Sequence, residues 1–372
     1  MFISKRNKFF TITLIVVLTL TFGLQTITFA QNQPDIQAAS AILMDAASGK
    51  ILYEKNSHEK LEPASLTKIM TLLLAFEAID SGKVKLTDKI KVSERAWKTG
   101  GSQVFLGPGE EQTLETLLKC ITVASANDAS VAVAEYIGGS VEGFVKMMND
   151  RAKELGMNDT HFVNPHGLSA PGHITSAYDV AIMARELVKH PKVFEWSTLW
   201  MDYLEHTDKP RNDTMLANTN KLLGKYEGLD GLKTGFHSKA GYCFVATAKR
   251  GDFRLISVIL NASNTKQRFD EAAKLLDYGY GNYNSVLVVK KNSVQKNLPV
   301  EKGLVKNVDV VTASEFSLLV EKGKEEVNCD IDLVSVQYVD ALEGTVLSAT
   351  GNPLGETTIT LSIGEYSITS ES

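Results

Sequence analysis

The residues best suited to covalent chemistry are a serine and a lysine in the segment PASLTKIMT. Ser65 and Lys68 are three positions apart, so on a helix the hydroxyl and the amine lie on one face. A serine needs a base within hydrogen-bond reach, and a lysine can be that base if burial and nearby cations lower its pKa. Pro63 favours a helix start, which would place Ser65 in a first turn whose free N–H groups favour an oxyanion.

The Ser-x-x-Lys spacing is weak evidence by itself because it occurs four times, at Ser57, Ser65, Ser263 and Ser293. The copies at positions 57 and 263 lie in polar, loop-like segments, and the copy at position 293 lies in a late β-rich part. Only the copy at Ser65 opens an apolar run, from Ile69 to Ile79, that is typical of a helix inside a core. We therefore place the nucleophile at Ser65 and its base at Lys68.

A second polar element, Ser125-Ala126-Asn127, interrupts two apolar helical patterns, and Ser-x-Asn occurs nowhere else in the chain. A short loop there would present both side chains. The Ser125 hydroxyl could pass a proton to a departing amine, and the Asn127 amide could bind a peptide carbonyl or hold Lys68. The competing interpretation is an ordinary helix cap, because Ser and Asn are favourable residues before a helix.

Lys-Thr-Gly occurs twice, at positions 98–100 and 233–235. The second copy opens a strand-rich part, so Lys233 and Thr234 could pair with a substrate carboxylate beside Gly235 at a strand edge. The backbone N–H of Phe236 would face an oxyanion there. The first copy continues into Gly-Ser within a loop. We interpret it as part of a loop at the rim of the site that shares the tripeptide sequence by coincidence.

These motifs are embedded in an α+β pattern of strands, then helices, then antiparallel strands. A hairpin is predicted around Ala47–Lys50, and the helical patterns of the middle part cluster on the sheet. After about Asn284 the chain consists of short β-rich pieces. We predict a catalytic domain at residues 36–283 and a C-terminal all-β domain at 284–372.

The composition is that of a globular protein, with 44% hydrophobic and 22% charged residues. No basic run or stripe is present, which argues against nucleic acid as a partner. The three cysteines are too few and too scattered for a disulfide scaffold. His166 and His173 flank a loop, but no HExxH motif or carboxylate cluster accompanies them, so neither a metal nor a cofactor is predicted.

The first thirty residues predict export. Lys5, Arg6 and Lys8 precede an uncharged stretch from Phe9 to Ala30 that ends in a small-x-small cleavage pattern. This is typical of a signal peptide at residues 1–30 and of an extracytoplasmic protein of the cell envelope or a secreted one. The alternative is an uncleaved anchor, and membrane association is expected only if the leader is retained.

The ordered triple Ser-x-x-Lys, Ser-x-Asn and Lys-Thr-Gly is the motif set of serine β-lactamases and penicillin-binding proteins. From about Ala38 to Gly281 the chain resembles the low-molecular-mass penicillin-binding proteins, which are serine-type D-alanyl-D-alanine carboxypeptidases. The segments PASLTKIMT, which contains Ser65, and GLDGLKTGFHSKAGYC, which contains Lys233, account for much of that resemblance. The resemblance implies a β-lactamase-like antiparallel sheet with a helical cluster.

The resemblance also implies a two-step acyl transfer on peptidoglycan stem peptides. Ser65 would attack the carbonyl between the last two D-alanines, Lys68 would take its proton, and Ser125 would help to protonate the leaving D-alanine. The N–H groups of Ser65 and Phe236 would hold the oxyanion, and penicillins would acylate the same serine. Arg268 is interpreted as an exposed side chain, with an approach to the substrate carboxylate as the alternative.

Two other functions stay open at this point. A β-lactamase would share the triple but needs a carboxylate that activates the deacylating water, and no E-x-x-L-N-like run is present. A peptidoglycan-binding protein with an inactive site would be expected to have damaged motifs, whereas all three are intact. The chain departs from the family at Ala126, where glycine is usual, and at Phe236-His237, where a threonine usually takes the second position.

Overall fold

The computed structural model describes residues 33–208, 211–290, 292–299, 307–312, 316–323, 329–333, 347–350 and 357–363. The predicted leader at residues 1–30 lies outside these described residues. Within them, no helix combines the length and apolar character that crossing a membrane requires.

The helices of the described chain follow one short 3₁₀ turn at Ala64–Thr67. They are α1 (Lys68–Asp80), α2 (Glu94–Trp97), α3 (Leu114–Ala124), α4 (Asn127–Gly138), α5 (Val141–Glu154), α6 (Ala177–Leu187), α7 (Lys192–Ser197) and α8 (Thr265–Asn282).

The described strands fall into an early, a middle and a late group. They are β1 (Ser40–Asp45), β2 (Ile51–Lys55), β3 (Lys89–Lys91), β4 (Glu111–Thr113), β5 (Met201–Leu204), β6 (Thr214–Ala217), β7 (Leu229–His237), β8 (Gly241–Arg250), β9 (Phe253–Ala262), β10 (Tyr283–Val289), β11 (Val294–Pro299), β12 (Asn307–Val311), β13 (Phe316–Glu321), β14 (Cys329–Leu333), β15 (Leu347–Thr350) and β16 (Thr357–Ile363).

A five-stranded antiparallel sheet with the order β2-β1-β9-β8-β7 forms the centre of the fold. Its first strand pair is the hairpin predicted around Ala47–Lys50. Alternate residues of β1 face opposite sides, as the period of a strand requires. Ile42 belongs to the core shared with α1 and the other central helices, whereas Leu43 belongs to the core shared with α8.

Helix α1 is buried almost all round, as the apolar run from Ile69 to Ile79 predicts. Leu72 and Leu73 point in different directions around the helix, yet both are almost completely buried. A helix of this kind must be surrounded by other elements, and α4, α5 and α6 all contact it. The lysine at its first position is therefore carried into the interior.

The late strands confirm the predicted change to β structure. Helix α8 ends at Asn282, and β10 begins at the next residue, one position before the predicted boundary. The described late strands form antiparallel pairs β10–β13 and β11–β12 and a three-stranded sheet β14-β16-β15. The α+β fold with a C-terminal β-rich part is confirmed, while the exact domain limits stay a prediction.

Candidate active site

Ser65 lies in the 3₁₀ turn that leads into α1, half-buried between the sheet and the helices. The prediction of an α-helical first turn is wrong in this detail, because α1 begins only at Lys68. Ala64 has a φ of 46°, in the left-handed region, so the chain cannot continue as a regular helix through it. Strained residues of this kind cluster at functional sites, where the surrounding structure holds them.

Lys68 is completely buried, and its side-chain nitrogen contacts three oxygens. The Nζ atom lies 3.1 Å from Ser65 Oγ, 2.6 Å from Asn127 Oδ1 and 2.6 Å from the backbone oxygen of His166. Burial, together with the nearby positive charge of Lys233, holds the pKa of Lys68 well below its ordinary value. A lysine in this state can carry a neutral amine and accept a proton from a hydroxyl 3 Å away.

Ser125 and Asn127 lie in a tight connection between α3, which ends at Ala124, and α4. Ser125 is only 4% exposed and takes the left-handed conformation, with φ 61° and ψ 35°. Asn127 does not cap α4, because its side chain donates to the Gly100 oxygen at 2.7 Å and accepts from Lys68. The helix-cap interpretation is therefore wrong for Asn127, and the structure brings its amide to Lys68.

The loop after the first Lys-Thr-Gly copy supports Asn127 from outside the helix. Besides the contact of Gly100 with the Asn127 side chain, the Ser102 oxygen accepts the Asn127 backbone N–H at 2.8 Å. The buried carboxylate of Asp128 holds the same loop by accepting the N–H groups of Val104 and Leu106, both at 3.1 Å. The sequence did not predict these contacts, because every residue type has a backbone carbonyl and no motif marks the ones that bind Asn127.

Lys233, Thr234 and Gly235 lie on β7, the end strand of the central sheet, which pairs with β8 alone. The other edge of β7 faces the 3₁₀ turn at Ala64–Thr67, the nucleophile turn, which carries the predicted nucleophile Ser65. A Cβ atom built on Gly235 would lie 3.2 Å from the Ser65 nitrogen and 3.2 Å from Ala64 Cβ. The predicted strand edge beside Ser65 is therefore observed, and glycine allows this approach without any displacement of the turn.

The β7 edge carries buried positive charge. Lys233 is 2% exposed, and burial together with the nearby Arg268 lowers its pKa to about 7. Arg268 is 8% exposed and donates to the Gly235 oxygen at 3.0 Å, so its interpretation as an exposed side chain is wrong. Thr234 Oγ1 lies 2.6 Å from Thr219 Oγ1. An anion that reaches this edge would meet two cations and a hydroxyl.

Phe236 and His237 form the outer part of the same strand. The Phe236 ring is 55% exposed and packs on Tyr242, with ring centroids 4.3 Å apart. His237 Nδ1 accepts the Ala240 N–H, and its Nε2 lies 3.4 Å from a Glu62 oxygen. Phe236 thus gives the cleft an aromatic rim, and His237, which stands where the family usually has threonine, adds a loose contact to the segment before Ser65.

Gly235→Ala is expected to lower the rate of acylation about 3- to 10-fold. The new methyl group would lie 3.2 Å from the Ser65 nitrogen, so the nucleophile turn must move away from β7 by a fraction of an ångström. A full misplacement of about 1 Å can cost roughly 10²-fold in rate, and a smaller shift costs correspondingly less. The second-order rate constant of labelling by a fluorescent penicillin measures the effect. Gly281→Ala is the matched control, because a Cβ there meets nothing within 4 Å. Equal rates for both variants would contradict the assigned close approach.

Glu110, His206 and Asp208 are the described residues whose potential metal-ligand atoms lie together, within 4.8 Å of one another. A cation already offsets part of the negative charge of this group, because Arg211 Nη1 lies 3.3 Å from a Glu110 oxygen and 3.0 Å from an Asp208 oxygen. Glu110 also accepts the N–H of Gly107 at 2.7 Å and that of the Gln112 amide at 2.8 Å. Glu110, His206 and Asp208 therefore fit a cluster of ion pairs and hydrogen bonds with Arg211 that joins two loops.

The two histidines singled out in the sequence both lie behind the nucleophile turn. His166 offers its backbone oxygen to Lys68, and burial together with Lys68 lowers the pKa of its ring to about 3. His173 is 1% exposed, and burial lowers its pKa to about 4. Both imidazole rings are therefore neutral in the folded protein.

These buried histidines predict an acid-sensitive fold. Unfolding restores an ordinary histidine pKa of about 6.5, so below that pH the unfolded chain binds protons that the folded chain excludes, and stability falls as the pH drops toward 4. The buried carboxyls of Asp128 and Asp179 have raised pKa values and act in the opposite direction.

The comparison of variants isolates the histidine contribution. Thermal unfolding between pH 7 and 4.5 should show a smaller decrease in Tm for His173→Gln than for the unchanged protein. His161→Gln replaces an exposed histidine of the same region and should keep the full decrease. An identical pH dependence of Tm for His173→Gln and the unchanged protein would contradict the burial of a neutral ring.

An antiparallel sheet with a helical cluster, and a serine paired with a buried lysine beside a cationic strand edge, define a serine acyl-transfer enzyme. The family profile described as D-alanyl-D-alanine carboxypeptidase matches residues 27–264. The chain belongs to this family of serine peptidases, as its motifs predict.

Relatives from Bacillus subtilis and Escherichia coli agree with this membership. The chain is 46% identical over 319 residues to the D-alanyl-D-alanine carboxypeptidase DacF of Bacillus subtilis, an alignment that covers 82% of this chain and 81% of that protein. It is 39% identical over 300 residues to DacC of Escherichia coli, covering 78% of this chain and 73% of that protein.

Solved structures confirm the fold class. Penicillin-binding protein 6B from Escherichia coli superposes with a TM-score of 0.68 at 32% identity, covering 88% of this chain and 91% of that chain. Penicillin-binding protein D2 from Listeria monocytogenes, solved in an ampicillin-bound form, gives a TM-score of 0.59 at 32% identity, covering 67% of this chain and all of that chain, 100%.

Proposed function

We propose that this protein removes the C-terminal D-alanine from peptidoglycan stem pentapeptides through an acyl-enzyme on Ser65. The single observation that carries the proposal is the contact of Ser65 Oγ with the buried Nζ of Lys68 at 3.1 Å, beside the free edge of β7. A hydroxyl, a base and a cationic strand edge are the groups that transfer of an acyl group from a carboxylate-terminated peptide requires.

Acylation begins when Ser65 attacks the carbonyl between the last two D-alanines and the neutral amine of Lys68 takes its proton. The N–H groups of Ser65 and Phe236 stabilise the tetrahedral oxyanion. The bond to the terminal D-alanine then breaks, and Ser125 helps to deliver a proton to the leaving amine. Water hydrolyses the ester in the second step and regenerates the Ser65 hydroxyl.

The terminal carboxylate of the substrate binds at Lys233 and Thr234, with Gly235 allowing the close approach and Asn127 binding a peptide carbonyl. The pKa of Lys233 is lowered to about 7. A bound carboxylate raises this pKa again, because its negative charge favours the ammonium form of the lysine. Penicillins carry a carboxylate at the corresponding place, so they acylate Ser65 by the same route. Removal of D-alanine would limit the crosslinking of the cell wall.

We also propose that the leader at residues 1–30 is cleaved after export and that the catalytic domain spans 36–283, followed by a β-rich domain at 284–372. The charged start, uncharged stretch and cleavage pattern support export to the cell envelope. Expression in a Gram-positive host, followed by N-terminal sequencing of the secreted protein, tests the cleavage. Recovery of the intact leader in the membrane fraction would show an anchor instead.

The test of the function is release of D-alanine from diacetyl-Lys-D-Ala-D-Ala by the purified protein. We expect hydrolysis of this peptide, slow turnover of nitrocefin and a trapped penicilloyl-enzyme. Fast nitrocefin hydrolysis without release of D-alanine would indicate a β-lactamase. Binding to peptidoglycan without either reaction would indicate a binding protein and overturn the proposal.

A further inference from the structure

His173 lies directly behind the nucleophile turn and makes no contact with the catalytic groups themselves. Its ring is 1% exposed and packs near Phe162, with ring centroids 6.0 Å apart. Nδ1 lies 2.9 Å from the backbone nitrogen of Val163, and Nε2 lies 2.8 Å from Thr67 Oγ1. Both ring nitrogens are therefore occupied by groups of fixed position.

The partners of this ring determine where its proton lies. The Val163 N–H can only donate, so Nδ1 is the acceptor and carries no hydrogen. Thr67 has one hydroxyl hydrogen, which it donates to the Ala64 oxygen at 2.8 Å. Thr67 must therefore accept from Nε2–H, and a directed chain of hydrogen bonds runs from Val163 through His173 and Thr67 to Ala64.

This chain ends on the residue that gives the turn its shape. Ala64 has the left-handed φ of 46° and is followed directly by Ser65. The loop that carries His166 and Gly167 packs closely against the same carbonyl, because a Cβ on Gly167 would lie 1.8 Å from the Ala64 oxygen. Thr71, one helical turn after Thr67, also binds this loop by donating to the Pro165 oxygen at 2.6 Å.

We propose that His173 is a positioning residue for acylation. Its Nε2–H fixes the Thr67 hydroxyl, which holds the Ala64 carbonyl and so keeps Ser65 at its contact distance from Lys68. An unsupported left-handed alanine would relax toward ordinary helical geometry, because this conformation costs of order 1–3 kcal/mol. Relaxation would rotate Ser65 away from Lys68 and from β7. The inference rests on the proposed role of Ser65.

Two polar replacements of His173, by glutamine and by asparagine, distinguish the role of Nε2 from that of Nδ1. The terminal amide of glutamine can reach the position of Nε2 and donate to Thr67, whereas the shorter asparagine places its oxygen near Nδ1 and leaves Thr67 without a donor. We expect His173→Gln to stay within about 5-fold of the unchanged acylation rate constant, and His173→Asn to lose about 10- to 100-fold.

The measurement is stopped-flow labelling by a fluorescent penicillin, which separates the acylation rate constant from the non-covalent dissociation constant. The loss in His173→Asn should fall on the acylation rate constant, with an unchanged dissociation constant. Thr67→Val should show a similar loss, and the double variant Thr67→Val/His173→Asn should lose little more than either single variant. A merely structural histidine would not produce this pattern.

The exposed His161 provides the matched control, because it precedes the same loop and its Nδ1 lies 3.0 Å from the Gly172 oxygen. His161→Asn should label at the unchanged rate. Equal losses for His173→Gln and His173→Asn, or additive losses with Thr67→Val, would overturn the inference. Absence of labelling in the unchanged protein would instead contradict the proposed function.

Discussion

Ser65→Ala will abolish covalent labelling by penicillin and will lower the release of D-alanine by at least about 10⁴-fold. The reaction needs an oxygen nucleophile at this position, and the hydroxyl that contacts Lys68 is the one that faces the β7 edge. The methyl side chain of alanine keeps the backbone hydrogen bonds of the turn and removes the contact with Lys68. Gel fluorescence after incubation with a fluorescent penicillin, together with a D-alanine assay, measures both losses.

Ser263→Ala is the matched control, since Ser263 shares the Ser-x-x-Lys spacing. Its side chain is exposed and contacts Gln267 at the start of α8. Labelling and D-alanine release should therefore be unchanged in this variant. Persistent labelling of Ser65→Ala, or its loss in Ser263→Ala, would contradict the assignment of the nucleophile.

Lys68→Met is expected to lower the acylation rate constant by about 10²- to 10⁴-fold, the range that removal of a general base produces. Methionine fills much of the same volume but cannot accept a proton. It also leaves Asn127 Oδ1 and the His166 oxygen without their donor, so a lower Tm is expected as well. Stopped-flow labelling and thermal unfolding measure the two effects.

Lys68→Arg separates the base from the hydrogen-bond donor. A guanidinium can still donate to these oxygens but keeps its proton at any pH the protein tolerates, so we expect the same large loss of acylation. Lys98→Met is the matched control, because Lys98 begins the other Lys-Thr-Gly copy and forms an exposed ion pair with Glu94. An active Lys68→Arg variant would rule out Lys68 as the base.

The parts of the site that the sequence predicts are those set by local spacing. Ser65 and Lys68 are one turn apart, and the apolar run after them places the lysine in the core. Asn127 lies in a break between two helical patterns, and Lys233 begins a strand-rich part. Each of these features depends on neighbours within about ten residues, which is the range over which periodicity carries information.

The parts that the sequence did not predict depend on contacts between distant segments. The 3₁₀ turn begins at a left-handed residue, Ala64, and is approached closely by both Gly235 and Gly167. The burial of Arg268 follows from the Gly235 carbonyl, 33 positions away in the chain. The support of Asn127 comes from the carbonyl of Gly100. Because every residue has a backbone carbonyl, no pattern of residue types predicts these contacts.

The atom that a penicillin acylates identifies the nucleophile directly. Digestion of the labelled protein and mass spectrometry of the peptides would locate the penicilloyl group. We expect a single adduct on Ser65, within the peptide that continues into α1. An adduct on Ser125 or on any other residue would contradict it, because the serine with a buried amine at 3.1 Å would then not be the nucleophile.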